Sequence, residues 1–122
     1  MKKILFVEDD PDQILMYQAK FELENLLMIV ASNEREALKL ALAEEPDLVL
    51  LDLLLKKENG LDVLEGLKKD ERLAKIPVII FTNYDKKELR ERSLALGAAD
   101  FIIKAKVTPK EIVARVKQIV GE

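Results

Sequence analysis

The sequence predicts a doubly wound α/β domain, a parallel sheet with helices on both faces. Three observations predict it. First, Ile4-Leu5-Phe6-Val7, Leu48-Val49-Leu50-Leu51, Val78-Ile79-Ile80-Phe81 and Phe101-Ile102-Ile103 are uniformly apolar instead of alternating, as suits strands buried on both faces. Second, helix signals alternate with strand signals in a βα order repeated five times, the pattern of a parallel sheet covered by helices. Third, each of the four runs stops on a polar residue: Glu8-Asp9-Asp10, Asp52, Thr82 and Lys104. In such a sheet the carboxyl ends of the strands share one edge, and ligands bind there. An acid pair, a single Asp, a hydroxyl and an ammonium should therefore meet, a set able to bind a divalent cation and an anion together.

The elements follow in order. After the first strand, Asp10 reads as an N-cap, with Pro11 at the first helical position and Gln13 placed to complete a capping box. Ile14, Tyr17 and Phe21 form an apolar stripe, and the helix should run to about residue 24. Residues 27–31 make a second strand. Asn33, with Glu36 three residues on, caps a helix through residue 45 that Pro46 ends. The strand ending at Asp52 leads into a loop closed by the turn signal Asn59-Gly60, and a helix follows from residue 61 to about 70. Pro77 opens the next strand, where its missing N–H is tolerated. Asp85 is placed to cap a helix over 86–96, which Gly97 stops. Thr108-Pro109-Lys110-Glu111 is a full capping box opening a last helix to about residue 120.

A chain of 122 residues fits one domain with a real core, and no linker, repeat or low-complexity stretch divides it. With the last helix ending at Gly121-Glu122, a single stand-alone domain over 1–122 is expected. The net charge of -3 gives no electrostatic reason for a nucleic-acid partner. The absence of Cys and His excludes disulfides, thiol chemistry, the usual zinc site and a His-based triad. The N-terminal apolar run is too short for a signal peptide or a membrane span, so no membrane association and a cytoplasmic location are expected. The richness in Leu, Glu and Lys suits a hyperthermophile protein or an idealised design.

The first strand–helix junction narrows the chemistry. Dinucleotide and P-loop sites put Gly there; this junction has none and carries three carboxylates. Acids attract hard cations and repel bare phosphate, so an anion must arrive with a metal. Mg²⁺ fits best, because it uses few carboxylates, keeps waters and bridges phosphate oxygens.

These residues resemble the receiver domain of two-component response regulators over the whole chain. Glu8-Asp9 falls at the family's acid pair. Asp52 ends Pro-Asp-Leu-Val-Leu-Leu-Asp like the phospho-acceptor, and Gly60 keeps the family's spacing after it. Ile-Pro-Val-Ile-Ile-Phe-Thr ends on Thr82 and Gly-Ala-Ala-Asp-Phe-Ile-Ile-Lys ends on Lys104, matching the switch hydroxyl and active-site lysine. One match alone is weak: Asp10 is a plain cap, an Asp at a strand end is usually a turn residue, and a lone Lys is usually solvated. The ordered set is specific.

The resemblance implies a chemotaxis-regulator-like, flavodoxin-like sheet of five strands in order 2-1-3-4-5. It makes Asp52 the nucleophile for a phosphoryl group carried on the histidine of a partner kinase or phosphotransfer protein. That donor must be another chain, since this one has no His. Asp9, Asp52 and the backbone carbonyl of Leu54 would hold Mg²⁺, with Glu8 acting directly or through water. Lys104 would pair with the phosphoryl oxygens, Thr82 would swing to bond them, and Phe101 would be the aromatic that responds. Positioning and spread-out positive charge suit phosphoryl transfer. Output would pass to a downstream protein through the fourth helix, last strand and last helix, and the only enzymatic activity would be self-phosphorylation and autodephosphorylation. A haloacid-dehalogenase phosphatase would need a second Asp where Leu54 stands.

Three neighbours depart from the family. Asn83 follows Thr82 where a very small residue is usual; Lys56, beside Lys57, stands where Pro is common; Ala105 replaces the Pro after Lys104. Two readings remain open. One is a working phospho-receiver in which Leu54 and Tyr84 hinder the attacking water. The other is a receiver-like binding or scaffold module that is not phosphorylated. Lys86, Lys87, Arg90 and Arg92, interleaved with Glu88 and Glu91, read as a solvated helix face.

Overall fold

A computed structural model describes all of residues 1–122. Its five strands are β1 (Lys2–Val7), β2 (Leu26–Ala31), β3 (Leu48–Leu51), β4 (Val78–Thr82) and β5 (Asp100–Ile103). All pair in parallel, in the order β2-β1-β3-β4-β5, as expected. The five helices are α1 (Pro11–Leu23), α2 (Glu34–Glu44), α3 (Gly60–Lys69), α4 (Lys87–Ala95) and α5 (Pro109–Val120). The apolar runs are buried on both faces, so two cores form. Val7, Leu51, Ile80 and Phe101 pack on one side with α2, α3 and part of α4, while Phe6, Leu50, Ile79 and Phe81 pack on the other with α1 and α5. No helix is long and apolar enough to cross a membrane.

Strand order reverses between β1 and β3, and this crevice is where the first two acidic segments end. Val7 pairs with Leu51, and the ladder continues past the strands: Glu8 N–H donates to Ala31 O at 2.9 Å and Asp52 N–H to Val7 O at 3.1 Å. Glu8 and Asp52 therefore emerge side by side.

Several cap assignments change. Asp10 caps α1 by accepting from Asp12 N–H (3.0 Å) and Gln13 N–H (3.4 Å), but the reciprocal half of the box is not made. Asp10 N–H instead donates to Glu8 Oε2 at 3.2 Å. Asn59, read as part of the turn signal that closes the loop, is also the cap of α3, since its Oδ1 accepts from Leu61 N–H at 2.9 Å. Gly60 then opens α3 against the β3 end: a Cβ there would lie 2.5 Å from Leu53 Cα, so only Gly lets α3 start this close to Asp52. Asp85 does not cap α4. The N-cap is Lys86 without a side-chain bond, and Asp85 pairs with Lys106 at 3.2 Å. The Thr108–Glu111 box is complete, and Gly97 leaves α4 at φ 106°.

Candidate functional site

The centre of the site is a buried ammonium between two carboxylates. Lys104, Asp52 and Glu8 are 6%, 4% and 1% exposed. Lys104 Nζ donates to Glu8 Oε1 at 2.5 Å and to Asp52 Oδ2 at 2.7 Å, and also meets Gln13 Oε1. Its fourth neighbour is the Phe81 ring, 5.6 Å away at the centroid. The other carboxylate oxygens are occupied too. Glu8 Oε2 accepts from Asp9 N–H at 3.0 Å as well as from Asp10 N–H, and Asp52 Oδ1 accepts from Leu54 N–H at 2.9 Å. Charges this deep persist only when paired and hydrogen-bonded. Burial pushes the Glu8 carboxyl above its ordinary range, with Lys104 opposing and Asp52 assisting. Burial alone would lower the Lys104 ammonium, but the carboxylates of Asp52 and Glu8 outweigh it and hold it above the usual lysine range.

A cavity of about 220 Å³ opens over this cluster, lined by Glu8, Asp9, Asp52, Leu54, Asn83 and Lys104 with Asp10, Gln13 and Lys56 around the edge. Oxygen donors beside an open cavity suit Mg²⁺, which takes few carboxylates and keeps waters. The side chains do not converge on one point, however: no three acidic groups are gathered closely enough to cage a metal. Lys104 lies between Glu8 and Asp52, and Asp9 Oδ2 accepts from Lys56 N–H at 2.6 Å. The donor types fit the ion; the arrangement is the one an ammonium holds.

Thr82 stands apart from the other four strand-end residues. It is fully buried and its Oγ1 accepts from Tyr84 N–H at 3.2 Å, but it does not line the cavity. Strand alternation explains this. Thr82 pairs with Ile103 and has the parity of Ile80, on the face opposite Phe81. Phe101 is buried, with the Arg90 guanidinium 5.0 Å over its ring. Leu54 is half exposed on the cavity rim, whereas Tyr84 is outside it, its ring under Lys86 at 5.5 Å. After Lys104 the chain takes one 3-10 turn, Lys104–Lys106, with no cis peptide.

Sequence reasoning missed Gln13 and Phe81 as neighbours of Lys104. The sequence pattern assigns Gln13 only a capping-box role and Phe81 only a core one; the i+3 offset from Asp10 and the place next to Thr82 are the available signals. Also missed was the bond between two departures from the family pattern, Ala105 N–H to Asn83 Oδ1 at 2.8 Å.

The family model of the response regulator receiver domain matches residues 4–117. The alkaline phosphatase synthesis transcriptional regulatory protein PhoP of Bacillus subtilis is 36% identical over 118 residues, 97% of this chain and 48% of that protein. The transcriptional regulatory protein CpxR of Escherichia coli is 36% identical over 119 residues, 98% of this chain and 49% of that protein. The chain thus spans about half the length of these relatives. Both are named as transcriptional regulators, so the expectation of no nucleic-acid partner finds no support in them. Among solved structures, the beryllofluoride-activated N-terminal receiver domain of Klebsiella pneumoniae RstA superposes with a TM-score of 0.89 at 29% identity, covering 99% of this chain and 100% of that one. With its flavodoxin-like sheet and buried acid–lysine cluster, the chain belongs to the response regulator receiver domains of two-component systems.

Proposed function

We propose that this domain is a phospho-acceptor, with Asp52 as the nucleophile. The observation that carries the reading is the Lys104 ammonium held 2.7 Å from the Asp52 carboxylate inside a small acidic cavity. An Asp carboxylate oxygen attacks the phosphorus of a phosphohistidine on a partner chain. The P–O bond forms as the P–N bond breaks, and the electron pair returns to the imidazole nitrogen, which is protonated. Lys104 is preorganised to neutralise oxygen charge as it shifts to the phosphoryl group, at no reorganisation cost to its own burial. Asp9, Asp52 and the Leu54 carbonyl would hold Mg²⁺, with Glu8 direct or through water, and the ion when bound spreads positive charge over the phosphoryl oxygens. Thr82 would exchange its bond from Tyr84 N–H for one donated to the phosphoryl group, and Phe101 beneath Arg90 would carry that change to α4. The α4–β5–α5 face is the proposed output surface, the kinase or phosphotransfer protein the upstream partner and the cytoplasm the location. Beyond self-phosphorylation and hydrolysis of the acyl phosphate, no enzymatic activity is proposed. Leu54 on the rim supports slow hydrolysis.

Incubation with Mg²⁺ and acetyl phosphate should add one phosphoryl group by intact mass, and Asp52→Asn should abolish the addition. Absence of any Mg²⁺-dependent response in the wild type would favour the scaffold reading.

A further inference from the structure

Two of the residues that set this chain apart from its family are bonded to each other. Ala105, in the turn after buried Lys104, donates its N–H to the Oδ1 of Asn83, which directly follows Thr82. A Pro at 105 has no N–H to give, and a Gly or Ala at 83 has no side-chain oxygen to receive it. Each departure makes sense only with the other present. The same two loops are also tied by the Lys106–Asp85 pair at 3.2 Å, but its partners are 69% and 51% exposed and it contributes little.

The bond decides which end of the Asn83 amide remains available. The amide carries an acceptor oxygen and a donor nitrogen of nearly equal shape. Because Ala105 N–H requires the oxygen, the NH₂ group is the end left to donate, and it has no protein acceptor. Asn83 lines the cavity over Asp52. Three other donors there are engaged: Lys104 Nζ on Glu8 and Asp52, Lys56 N–H on Asp9, Leu54 N–H on Asp52. A phosphoryl group entering this cavity brings acceptor oxygens into a lining that includes the carboxylates of Glu8, Asp9, Asp10 and Asp52. The uncommitted side-chain donors are the Asn83 amide and, at the edge, the Lys56 ammonium, and only the Asn83 amide is held in one orientation by a bond.

We infer that Asn83 donates its side-chain amide to an oxygen of the phosphoryl group on Asp52, and that Ala105 is the positioning residue whose N–H holds the amide in the donating orientation. This rests on the phospho-acceptor reading above. It opposes a purely steric role, in which Asn83 would only narrow the cavity where relatives of the family pattern carry a smaller residue.

The two roles give opposite signs for one variant. Beryllofluoride with Mg²⁺ is titrated into wild type, Asn83→Ala, Asn83→Asp, Ala105→Pro and the Asn83→Ala/Ala105→Pro pair, with heat of binding as the readout and circular dichroism as the check on folding. Loss of a charge-assisted donor weakens binding by about tenfold in Asn83→Ala. Asn83→Asp weakens it further, since the isosteric carboxylate still accepts from Ala105 N–H but turns an acceptor towards the anion. Ala105→Pro gives a smaller loss and adds nothing to Asn83→Ala in the pair. Binding unchanged or tighter in Asn83→Ala overturns the inference in favour of a gate, as does Asn83→Asp binding like wild type; additive losses in the pair remove Ala105 from it. Wild type that binds no beryllofluoride, or binds it equally after Asp52→Asn, sinks the phospho-acceptor reading itself and this inference with it.

Discussion

Helices α4 and α5 bracket the last strand and lie on opposite faces of the sheet, and they are attached in different ways. α5 buries Ile112, Val113 and Val116, opens with a complete capping box and closes on Gly121 at φ 79°, whose N–H donates to Lys117 O. Arg115 adds a 2.8 Å pair to Asp100 of β5. α4 has no side-chain cap and buries only Ser93, whose hydroxyl has no partner; Leu89 and Leu96 pack against the core from partly exposed positions. Arg90, which the sequence places on a solvated face, lies over Phe101, while Lys87 and Glu91 do form the expected surface pair at 3.8 Å. Few buried apolar contacts and an orphan hydroxyl make α4 the helix that opens at low cost, and α5 the anchor. On the phospho-acceptor reading proposed above, a domain that reports a change at Asp52 would gain from having one of each beside the same strand.

The largest effect should come from the buried cation that precedes α5. Lys104→Met leaves Glu8 and Asp52 facing each other without a countercharge, and should cost about 3 kcal/mol near neutral pH by urea denaturation. The sign with pH follows from Glu8. Its carboxyl is already raised by burial, and losing Lys104 raises it further. A raised carboxyl gives its full contribution below the unfolded value and loses it as pH rises through the folded one. The deficit relative to wild type should therefore shrink between pH 7.5 and pH 5; a deficit that grows on acidification would refute this account. In wild type the raised Lys104 ammonium is the stabilising form, so its contribution is full below the ordinary lysine value and is lost as pH rises from there through the raised one.

The comparison itself is sharpened by truncating one apolar residue on each helix. Ile112→Ala on α5, from a position 1% exposed, should destabilise by about 3 kcal/mol, and Leu89→Ala on α4 by about 1 kcal/mol. Equal losses would remove the distinction. The smallest effect has the opposite sign. Ser93→Ala deletes an unpartnered buried hydroxyl without leaving a large void, and should stabilise by roughly 1 kcal/mol while slowing amide hydrogen exchange along α4. A loss of stability would mean that the hydroxyl has an acceptor in solution.

Legibility in the sequence followed the range of the interactions. Thr108 and Glu111 are three residues apart and their reciprocal bonds need nothing else, so the box was readable. Asp10 and Gln13 have the same spacing, yet Glu8 takes the Asp10 N–H and Lys104 takes the Gln13 side chain, so local pattern gave way to the site. Asp85 failed as a cap for a similar reason: Lys106, 21 residues on, lies beside it. The β2 start and the ends of α1, α2 and α3 moved by a residue or so, as hydrogen bonding at element ends decides them.

By itself the sequence determined the α/β class, the order of elements, both faces of the core and the set Glu8, Asp9, Asp52, Thr82 and Lys104 at one edge of the sheet, because uniform apolar runs, caps and strand ends are local signals. Only the tertiary structure decided that Lys104 bridges Glu8 and Asp52, that Thr82 faces away from the cavity and that Asn83 and Ala105 hold each other. Those facts depend on strand register and on the meeting of loops far apart in the chain, and a distance of 2.7 Å between residues 52 positions apart is not written in either segment alone.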